Sequence, residues 1–207
     1  MKFLITAGPT REAIDPVRYL SNRSSGKMGY ALAKAALEEG HEVSLISGPV
    51  SLSTPGSANL VCIESAREMF DAVKTRINEA DVAIFCAAVS DYRVADIAAE
   101  KIKKNNDELL LKLVKNPDIL GSARQEFGFT GILVGFAAET ENIEANAKGK
   151  LERKGCDFLV ANDVSRSDIG FDHDSNEAVI YAKDGSETRL KLASKEDIAR
   201  QIIERIR

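Results

Sequence analysis

The stretch "DVAIFCAAV", residues 81–89, decides the fold class. It is apolar without alternation, which is typical of a strand buried on both faces of a parallel sheet. The preceding segment, "AREMFDAVKTRINEA", carries Met69, Phe70, Val73 and Ile77 at helical spacing. A helix that leads into a fully buried strand predicts an α/β domain.

The same alternation continues toward both ends of the chain. Upstream, the strand "KFLITA" precedes a helix from about Ser25 to Glu39, the strand "EVSLIS" and a short strand in "ANLVCIES". Downstream come "LLLKLV", a helix opened by Asn116-Pro117, the strand "GILVGFAA", a helix through about Lys154 and the strand "DFLVAN". This rhythm predicts a Rossmann-like, doubly wound and mainly parallel sheet.

The C-terminal end changes character. "AVIYAKDGSETRLKL" alternates with period two around Asp184-Gly185, which predicts an antiparallel hairpin with a type I′ turn. Ser194 and Asp197 are spaced as a capping pair before "IARQIIERIR", a predicted amphipathic closing helix. The longest stretches predicted to be irregular are 8–24 and 90–108, and long loops inside a compact domain are usually functional.

Composition limits the possible functions. The 207 residues, 44% of them hydrophobic, suit one domain over residues 1–207, and the net charge of -4 gives no reason to expect nucleic acid. The apolar run in "MKFLITAG" is too short for a secretion signal or a membrane span, so we expect a cytoplasmic protein. Cys62, Cys86 and Cys156 lack the spacing of a metal site, and Cys86 is interpreted as a small buried residue without a nucleophilic role.

Residues that follow the apolar strands are the candidates for ligand contact, because ligands bind at the carboxyl ends of parallel strands. They are Gly8-Pro9-Thr10, residues 47–50, residues 90–93 and Glu139.

The stretch "SNRSSGKMGYALAKA", residues 21–35, sits between an apolar strand and an apolar-periodic helix. It has neither the Ser/Thr that ends a Walker A loop nor a Gly-x-Gly-x-x-Gly fingerprint. The start of the helix would still present backbone N–H groups to an anion, so Gly8, Ser24, Ser25 and Gly26 are phosphate-loop candidates. A Ser/Ser/Gly helix cap without any ligand explains the pattern equally well.

A nicotinamide cofactor is disfavoured. The strand "SLISGPV" ends without the carboxylate that binds an NAD ribose and without an arginine for NADP, and the match Tyr30-x-x-x-Lys34 lies in the first helix. The lysines of "EKIKKNNDE", residues 100–108, form either a solvated loop or a flap that closes on a polyphosphate.

Six motifs, spanning residues 5–165 in order, carry a resemblance to a known family: "TAGPTREAIDPVRYLSNRSSGKMG", "AAVSDYR", "EKIKK", "KNPDIL", "GFAAET" and "ANDVS". The chain resembles phosphopantothenate-cysteine ligase in its bacterial, CTP-using form. The resemblance implies that CTP and Mg²⁺ activate the carboxylate of 4′-phosphopantothenate as an acyl-cytidylate. Cysteine then displaces CMP, in the pathway to coenzyme A. The alternatives are an NAD(P)-dependent oxidoreductase of the same fold class and, from a different class, a nucleotide-sensing module without catalysis.

The resemblance also implies roles for individual residues. Asn22 is associated with turnover of the acyl-cytidylate, because its neutral amide can donate to an oxyanion, although a turn residue is the alternative when the motif stands alone. Lys101 would meet the triphosphate, and Arg18 would bind the phosphate of phosphopantothenate, since a guanidinium fork suits phosphate. The remaining nucleotide contacts would be Phe85, Cys86, Ala87, Asp91, Pro117, Asp118, Ile119, Leu120, Phe136, Lys150 and Lys154.

Family members are commonly homodimers, and the alternating hairpin offers a possible pairing surface. In many bacteria this domain is fused to a flavin-dependent phosphopantothenoylcysteine decarboxylase. We expect no flavin, no nucleic acid and no membrane as partners of this chain.

Overall fold

The computed structural model describes residues 1–104, 108–139, 141–163 and 175–206. Its elements, in chain order, are β1 (Lys2–Ala7), β2 (Arg11–Ala13), β3 (Tyr19–Ser21), α1 (Lys27–Glu38), β4 (Glu42–Ser47), β5 (Asn59–Cys62), α2 (Ala66–Lys74), β6 (Val82–Phe85), β7 (Tyr92–Val94), β8 (Leu113–Lys115), α3 (Ile119–Gln125), β9 (Ile132–Glu139), α4 (Ile143–Lys154), β10 (Phe158–Asp163), β11 (Ser175–Ala182), β12 (Glu187–Ser194) and α5 (Lys195–Ile206).

The main sheet has eight strands in the order β12-β11-β10-β9-β6-β1-β4-β5. The strands from β5 to β10 in this order run parallel to one another, whereas β11 and β12 are antiparallel. The parallel part has the order of a doubly wound nucleotide-binding fold, in which the winding reverses between β1 and β6. The predicted fold class is therefore confirmed, including the C-terminal hairpin and the closing helix.

Both faces of the sheet are buried, as the unbroken apolar runs predict. Phe3 and Ile5 of β1 pack in one cluster with Leu32 of α1 and with α5, whereas Leu4 packs with Met69 of α2 and with α3 and α4 on the opposite face. The helices thus form one layer on each side of the sheet. Within the described residues, no helix is long and apolar enough to cross a membrane.

The closing segments agree with their sequence signals, with one correction at the turn. The Asp197 N–H donates to the Ser194 hydroxyl at 3.1 Å, which caps α5 as predicted. In the hairpin, Gly185 has φ 86°, and Asn142 is the only described non-glycine residue with positive φ, so Asp184 does not adopt the conformation of a type I′ turn. The Gly185 N–H donates to the Ala182 carbonyl. The turn is type I, followed by a left-handed glycine that forms a bulge.

Two further expectations are corrected. The stretches 8–24 and 90–108 are not wholly irregular, because β2 pairs with β3 and β7 pairs with β8 in two-stranded ribbons outside the main sheet. The predicted helix over residues 66–80 ends at Lys74, and Ile77 lies in a separate 3₁₀ turn. The apolar run "LLLKLV" contributes to the second ribbon, and its Leu110 is 90% exposed.

Three glycine loops meet at the carboxyl ends of β1 and β4. A methyl group on Gly48 would lie 1.8 Å from the Pro9 carbonyl oxygen, and one on Gly26 would lie 2.7 Å from Val50 Cγ1. Gly26 also has φ 78°, a left-handed conformation that favours glycine. The loops therefore approach each other more closely than any larger residue allows.

We expect Gly48→Ala to lower the free energy of unfolding by about 1–3 kcal/mol, because the backbone of one loop must move away from the other. Gly149→Ala in α4 is the matched control. A methyl group there would meet nothing within 4 Å, and alanine should raise the free energy of unfolding by about 0.5–1 kcal/mol through helix propensity. Urea titration measures both changes. Equal stability of Gly48→Ala and wild type would show that the loops have room to separate.

Candidate functional site

Two cavities adjoin at the carboxyl edge of the sheet, where doubly wound folds bind ligands. The first, of about 490 Å³, lies at the N-terminus of α1 and is called the α1 cavity. The second, of about 580 Å³, lies between β6, α3 and α4 and is called the α3/α4 cavity. Both have the size of small-molecule sites. Their shared wall consists of Ala87, Val89, Phe136 and Lys150.

The N-terminus of α1 forms one wall of the α1 cavity. Ser24, Ser25 and Gly26 line this cavity, and the cap residue is Gly26, which supplies no side-chain hydrogen bond to the helix. A methyl group on Gly29 would lie 2.5 Å from Ala7 Cβ, so the first turn of α1 rests directly on β1. Gly8, the remaining phosphate-loop candidate, supports Gly26 from behind and does not line the cavity.

Asn22 reaches the same cavity from the end of the β2–β3 ribbon. Its side-chain nitrogen donates to the carbonyl oxygens of Ala88 and Val89, at 3.0 and 3.2 Å. These carbonyls lie just beyond β6, which ends at Phe85, in a segment that still pairs with the chain after β1, because the Ala88 N–H donates to the Gly8 carbonyl. The structure thus holds Asn22 against the floor of the cavity. Its predicted role toward an oxyanion requires the amide to exchange these carbonyls for substrate.

Polar side chains from distant parts of the chain complete the α1 cavity, and sequence reasoning missed them. Asn162 of β10, Asn176 of β11 and Lys195 of α5 all line it, and Asn176 and Lys195 are only 3% and 5% exposed. The Asn162 side-chain oxygen is buried and has no hydrogen-bond partner in the part of the chain that the structure describes. The sequence signal that could have indicated this wall is the position of Lys195, which falls at helical spacing on the same face as Ile198 and Ile202.

Cys86 lines the α1 cavity but has the properties of a structural thiol. Burial raises its pKa to about 12, although the positive charge of Lys195 acts in the opposite direction. The thiol is therefore protonated at neutral pH, and a protonated thiol is a poor nucleophile. The side chain is only half-buried at the cavity wall, so the interpretation of Cys86 as a small buried residue is corrected to a half-buried one.

The α3/α4 cavity brings together most of the residues predicted to contact the nucleotide. Its lining includes Phe85, Ala87, Asp91, Pro117, Asp118, Ile119, Leu120, Phe136, Lys150 and Lys154. Residues up to 69 positions apart in sequence, from Phe85 to Lys154, thus line one cavity, although Cys86 faces the other cavity.

The charged groups of the α3/α4 cavity are held by specific contacts. Lys154 forms an ion pair with Asp118, which also caps α3 by accepting from the Gly121 N–H at 3.0 Å. Burial raises the pKa of Asp118, but the contacts with Lys154 and Gly121 and the charge of Lys150 together hold it below its usual value. The Lys150 ammonium donates to the Phe136 carbonyl at 2.8 Å. Both lysines are therefore oriented before any ligand binds.

Besides Gly8, two predicted residues lie in neither cavity. Lys101 is exposed to solvent, and the Arg18 guanidinium is paired with the Asp15 carboxylate. Their predicted roles toward the triphosphate and the substrate phosphate therefore stay predictions.

The described part of the site offers no dedicated metal cage. Among the described residues, no group of three or more His, Cys, Asp and Glu side chains could hold a metal ion. Asp91 supplies an exposed carboxylate to the α3/α4 cavity, whereas Asp118 is engaged by Lys154. This donor set fits Mg²⁺ that enters with nucleotide phosphates, which is how proteins commonly bind it.

Comparison with known proteins identifies the family. The family model described as DNA/pantothenate metabolism flavoprotein C-terminal domain matches residues 1–207. The coenzyme A biosynthesis bifunctional protein CoaBC of Vibrio vulnificus is 51% identical over 205 residues, 98% of this chain and 51% of the relative. The Escherichia coli protein of the same name is 46% identical over 209 residues, 100% of this chain and 51% of the relative. The chain thus spans about half the length of these curated relatives.

Solved structures agree with the fold. The crystal structure of the C-terminal domain of CoaBC has a TM-score of 0.85 and 40% identity, covering 99% of this chain and 93% of that chain. A DNA/pantothenate metabolism flavoprotein from Streptococcus pneumoniae gives 0.84 and 27%, covering 100% and 98%. Cab2 in complex with phosphopantothenate-cysteine gives 0.79 and 18%, covering 99% and 85%, and at this identity it shows the shared fold alone.

Proposed function

We propose a function from the premise that this chain belongs to the family of the DNA/pantothenate metabolism flavoprotein C-terminal domain. The chain joins phosphopantothenate to cysteine at the expense of CTP, as the ligase step of coenzyme A synthesis. The coenzyme A biosynthesis proteins to which it is similar support this assignment. Acting as one domain over residues 1–207, it corresponds to the C-terminal domain of CoaBC. In such proteins a decarboxylase is the expected partner, and any flavin would belong to that half.

The observation that carries the proposal is the pair of adjoining cavities with Lys150 in their shared wall. The reaction needs a nucleotide and an acid to meet, and two adjoining cavities provide one space for each. We assign CTP to the α3/α4 cavity, where α3 and Phe136 would frame the cytosine. Phosphopantothenate is assigned to the α1 cavity, with its carboxylate toward the shared wall.

The chemistry requires charge neutralisation and positioning rather than a protein nucleophile. The substrate carboxylate attacks the α-phosphorus of CTP, and pyrophosphate leaves. The cysteine amine then attacks the acyl carbon, and CMP leaves as the amide forms. Lys150 and Lys154 offset the phosphate charge in the first step, and Asn22 donates to the oxyanion in the second. Asp91 would hold Mg²⁺ together with the triphosphate, and the bound ion would supply further positive charge.

We also propose a cytoplasmic homodimer. The hairpin of β11 and β12 was the predicted pairing surface, but more of the exposed large apolar side chains lie on or beside the β7–β8 ribbon than on the hairpin. Leu110 is 90% exposed, and Tyr92 and Leu113 are 47% and 44% exposed. Tyr92 also lines the α3/α4 cavity, so a partner on this ribbon would stand beside the nucleotide. Sedimentation velocity should give a dimer for wild type and a monomer for Leu110→Glu. If Leu110→Glu remains a dimer, the β7–β8 ribbon is not the interface, and the hairpin of β11 and β12 is the remaining candidate.

The experiment that tests the function measures pyrophosphate release from CTP with Mg²⁺ and phosphopantothenate, with and without cysteine. We expect continuous turnover only when cysteine is present, because cysteine frees the site of the acyl-cytidylate. A parallel series with ATP tests the nucleotide. Equal rates with both nucleotides would contradict the assignment of a cytosine pocket, and no turnover with either would contradict the ligase itself.

A further inference from the structure

Asp15 is a buried carboxylate that lies outside both cavities. Its side chain is 0% exposed, although it belongs to the turn between β2 and β3 at the surface. Oδ1 accepts the backbone N–H groups of Val17 and Arg18, both at 2.9 Å, which closes the turn. Oδ2 accepts from the Arg18 side chain through Nε at 3.0 Å and Nη2 at 2.5 Å. Oδ1 therefore closes the turn, and Oδ2 binds the Arg18 side chain.

The Asp15–Arg18 ion pair binds a distant backbone segment through two hydrogen bonds to Ile102, which we call the tether. The Ile102 N–H donates to Asp15 Oδ2 at 3.1 Å, and Arg18 Nη2 donates to the Ile102 carbonyl at 3.1 Å. Both peptide groups that flank Ile102 are thus fixed by one ion pair, 84 or more positions away in sequence. The Ala98 N–H also donates to the Ile14 carbonyl at 3.0 Å, so the segment is docked along its length.

Ile102, which the tether binds, lies between exposed lysines. Lys101 and Lys103 flank Ile102, and Lys104 follows. The Ile102 N–H belongs to the peptide group that Lys101 itself begins, so fixing this group restricts where the Lys101 Cα can lie. An exposed lysine on an untethered loop would lose conformational entropy each time it met a phosphate, and a tether reduces that loss.

We propose that Asp15 is a positioning residue that acts through Arg18 and Ile102 to hold Lys101 ready for the triphosphate. This inference rests on the proposed function only for what Lys101 meets, and the tether itself can be tested without turnover. Burial alone would disfavour the charged form of the Asp15 carboxylate, but hydrogen-bond donors surround it. The Arg18 side chain, as the largest influence, outweighs burial and holds the pKa of Asp15 well below its usual value, so the tether is charged throughout the neutral pH range.

Asp15→Asn removes the tether selectively. Asparagine can keep the turn, because its oxygen can still accept from Val17 and Arg18, but its NH₂ group would then face the donors that Oδ2 accepts. We expect trypsin to cleave after Lys101, Lys103 or Lys104 about tenfold faster, because cleavage follows the population of the open segment. Asp96→Asn, an exposed carboxylate nearby, is the matched control and should leave the cleavage rate unchanged. Mass spectrometry identifies the sites.

A double-mutant cycle with Lys101→Gln tests what the tether is for. Asp15→Asn should lower kcat/KM for CTP about tenfold to a hundredfold in the wild-type background and have little further effect once Lys101 is replaced. Additive losses, or unchanged cleavage in Asp15→Asn, would overturn the inference. If Asp15→Asn does not fold, Arg18→Lys replaces it in the test. Lysine keeps the positive charge and a trypsin site but lacks the guanidinium fork, so faster cleavage after Lys101, Lys103 or Lys104 would support the tether and an unchanged rate would overturn it. If wild type has no ligase activity, the proposed function is wrong, but the cleavage rates still test independently whether Asp15 holds the segment at Ile102.

Discussion

Asn22→Asp is expected to release about one pyrophosphate per active site and then stall with the acyl-cytidylate bound, a burst that marks an accumulating acyl intermediate. Activation of the carboxylate needs the phosphate-neutralising lysines, which this variant keeps. Attack by cysteine places negative charge on the acyl oxygen, and a carboxylate at position 22 would repel it where an amide would donate. Removing such a donor typically slows the step by about a hundredfold to a thousandfold. Quenched-flow measurement of pyrophosphate and CMP resolves the two steps.

The geometry of Asn22 requires a control for structural damage. Its amide donates to the carbonyl oxygens of Ala88 and Val89, so aspartate would place like charges together and push the loop away. Ser21→Ala disturbs the same loop without touching the amide, because it removes the 2.8 Å hydrogen bond from the Ser21 hydroxyl to the Thr10 carbonyl. We expect this control to retain both half-reactions. Equal slowing of pyrophosphate and CMP release in Asn22→Asp would show that Asn22 shapes the cavity rather than serving the second step.

The fold was predictable because its main elements are long and buried on both faces. Apolar runs such as that of β6 carry the signal of a parallel sheet regardless of what surrounds them. The ribbons β2–β3 and β7–β8 escaped prediction because strands of three residues are too short to show a period. The turn at Asp184-Gly185 was misread because the same dipeptide serves two turn types. Here the bulge admits an extra residue and leaves Asp184 with negative φ.

The linings of the two cavities were predictable only where one motif carried several of the lining residues. The α3/α4 cavity gathers residues that local motifs had already grouped, such as the run from Pro117 to Leu120. Asn176 and Lys195 reach the α1 cavity because the hairpin returns along β10 and α5 packs on α1, which is a property of the whole fold. The contact of Asp15 with Ile102 is likewise tertiary. No local pattern reports which backbone group a buried carboxylate will meet.

Lys101→Gln is expected to lower kcat/KM for CTP about a hundredfold or more while leaving the melting temperature unchanged. A cation that reaches a triphosphate offsets charge that grows as pyrophosphate leaves, and losing one such contact costs rate on this scale. The melting temperature should not move, because Lys101 is exposed and surface substitutions rarely change stability. Steady-state kinetics and thermal melting give the two values.

Lys103→Gln is the matched control for charge. It removes the same positive charge two residues away, also from an exposed position on the other side of Ile102. If the segment attracts CTP only through its summed charge, both variants should weaken the reaction equally, and the loss should shrink at high salt, where exposed charges are screened. If the hydrogen bonds to Ile102 position Lys101 specifically, Lys101→Gln should lower kcat/KM for CTP far more than Lys103→Gln does at every salt concentration. Equal losses would reduce the segment to a general electrostatic guide, and a fall in melting temperature for Lys101→Gln would assign it a structural role instead.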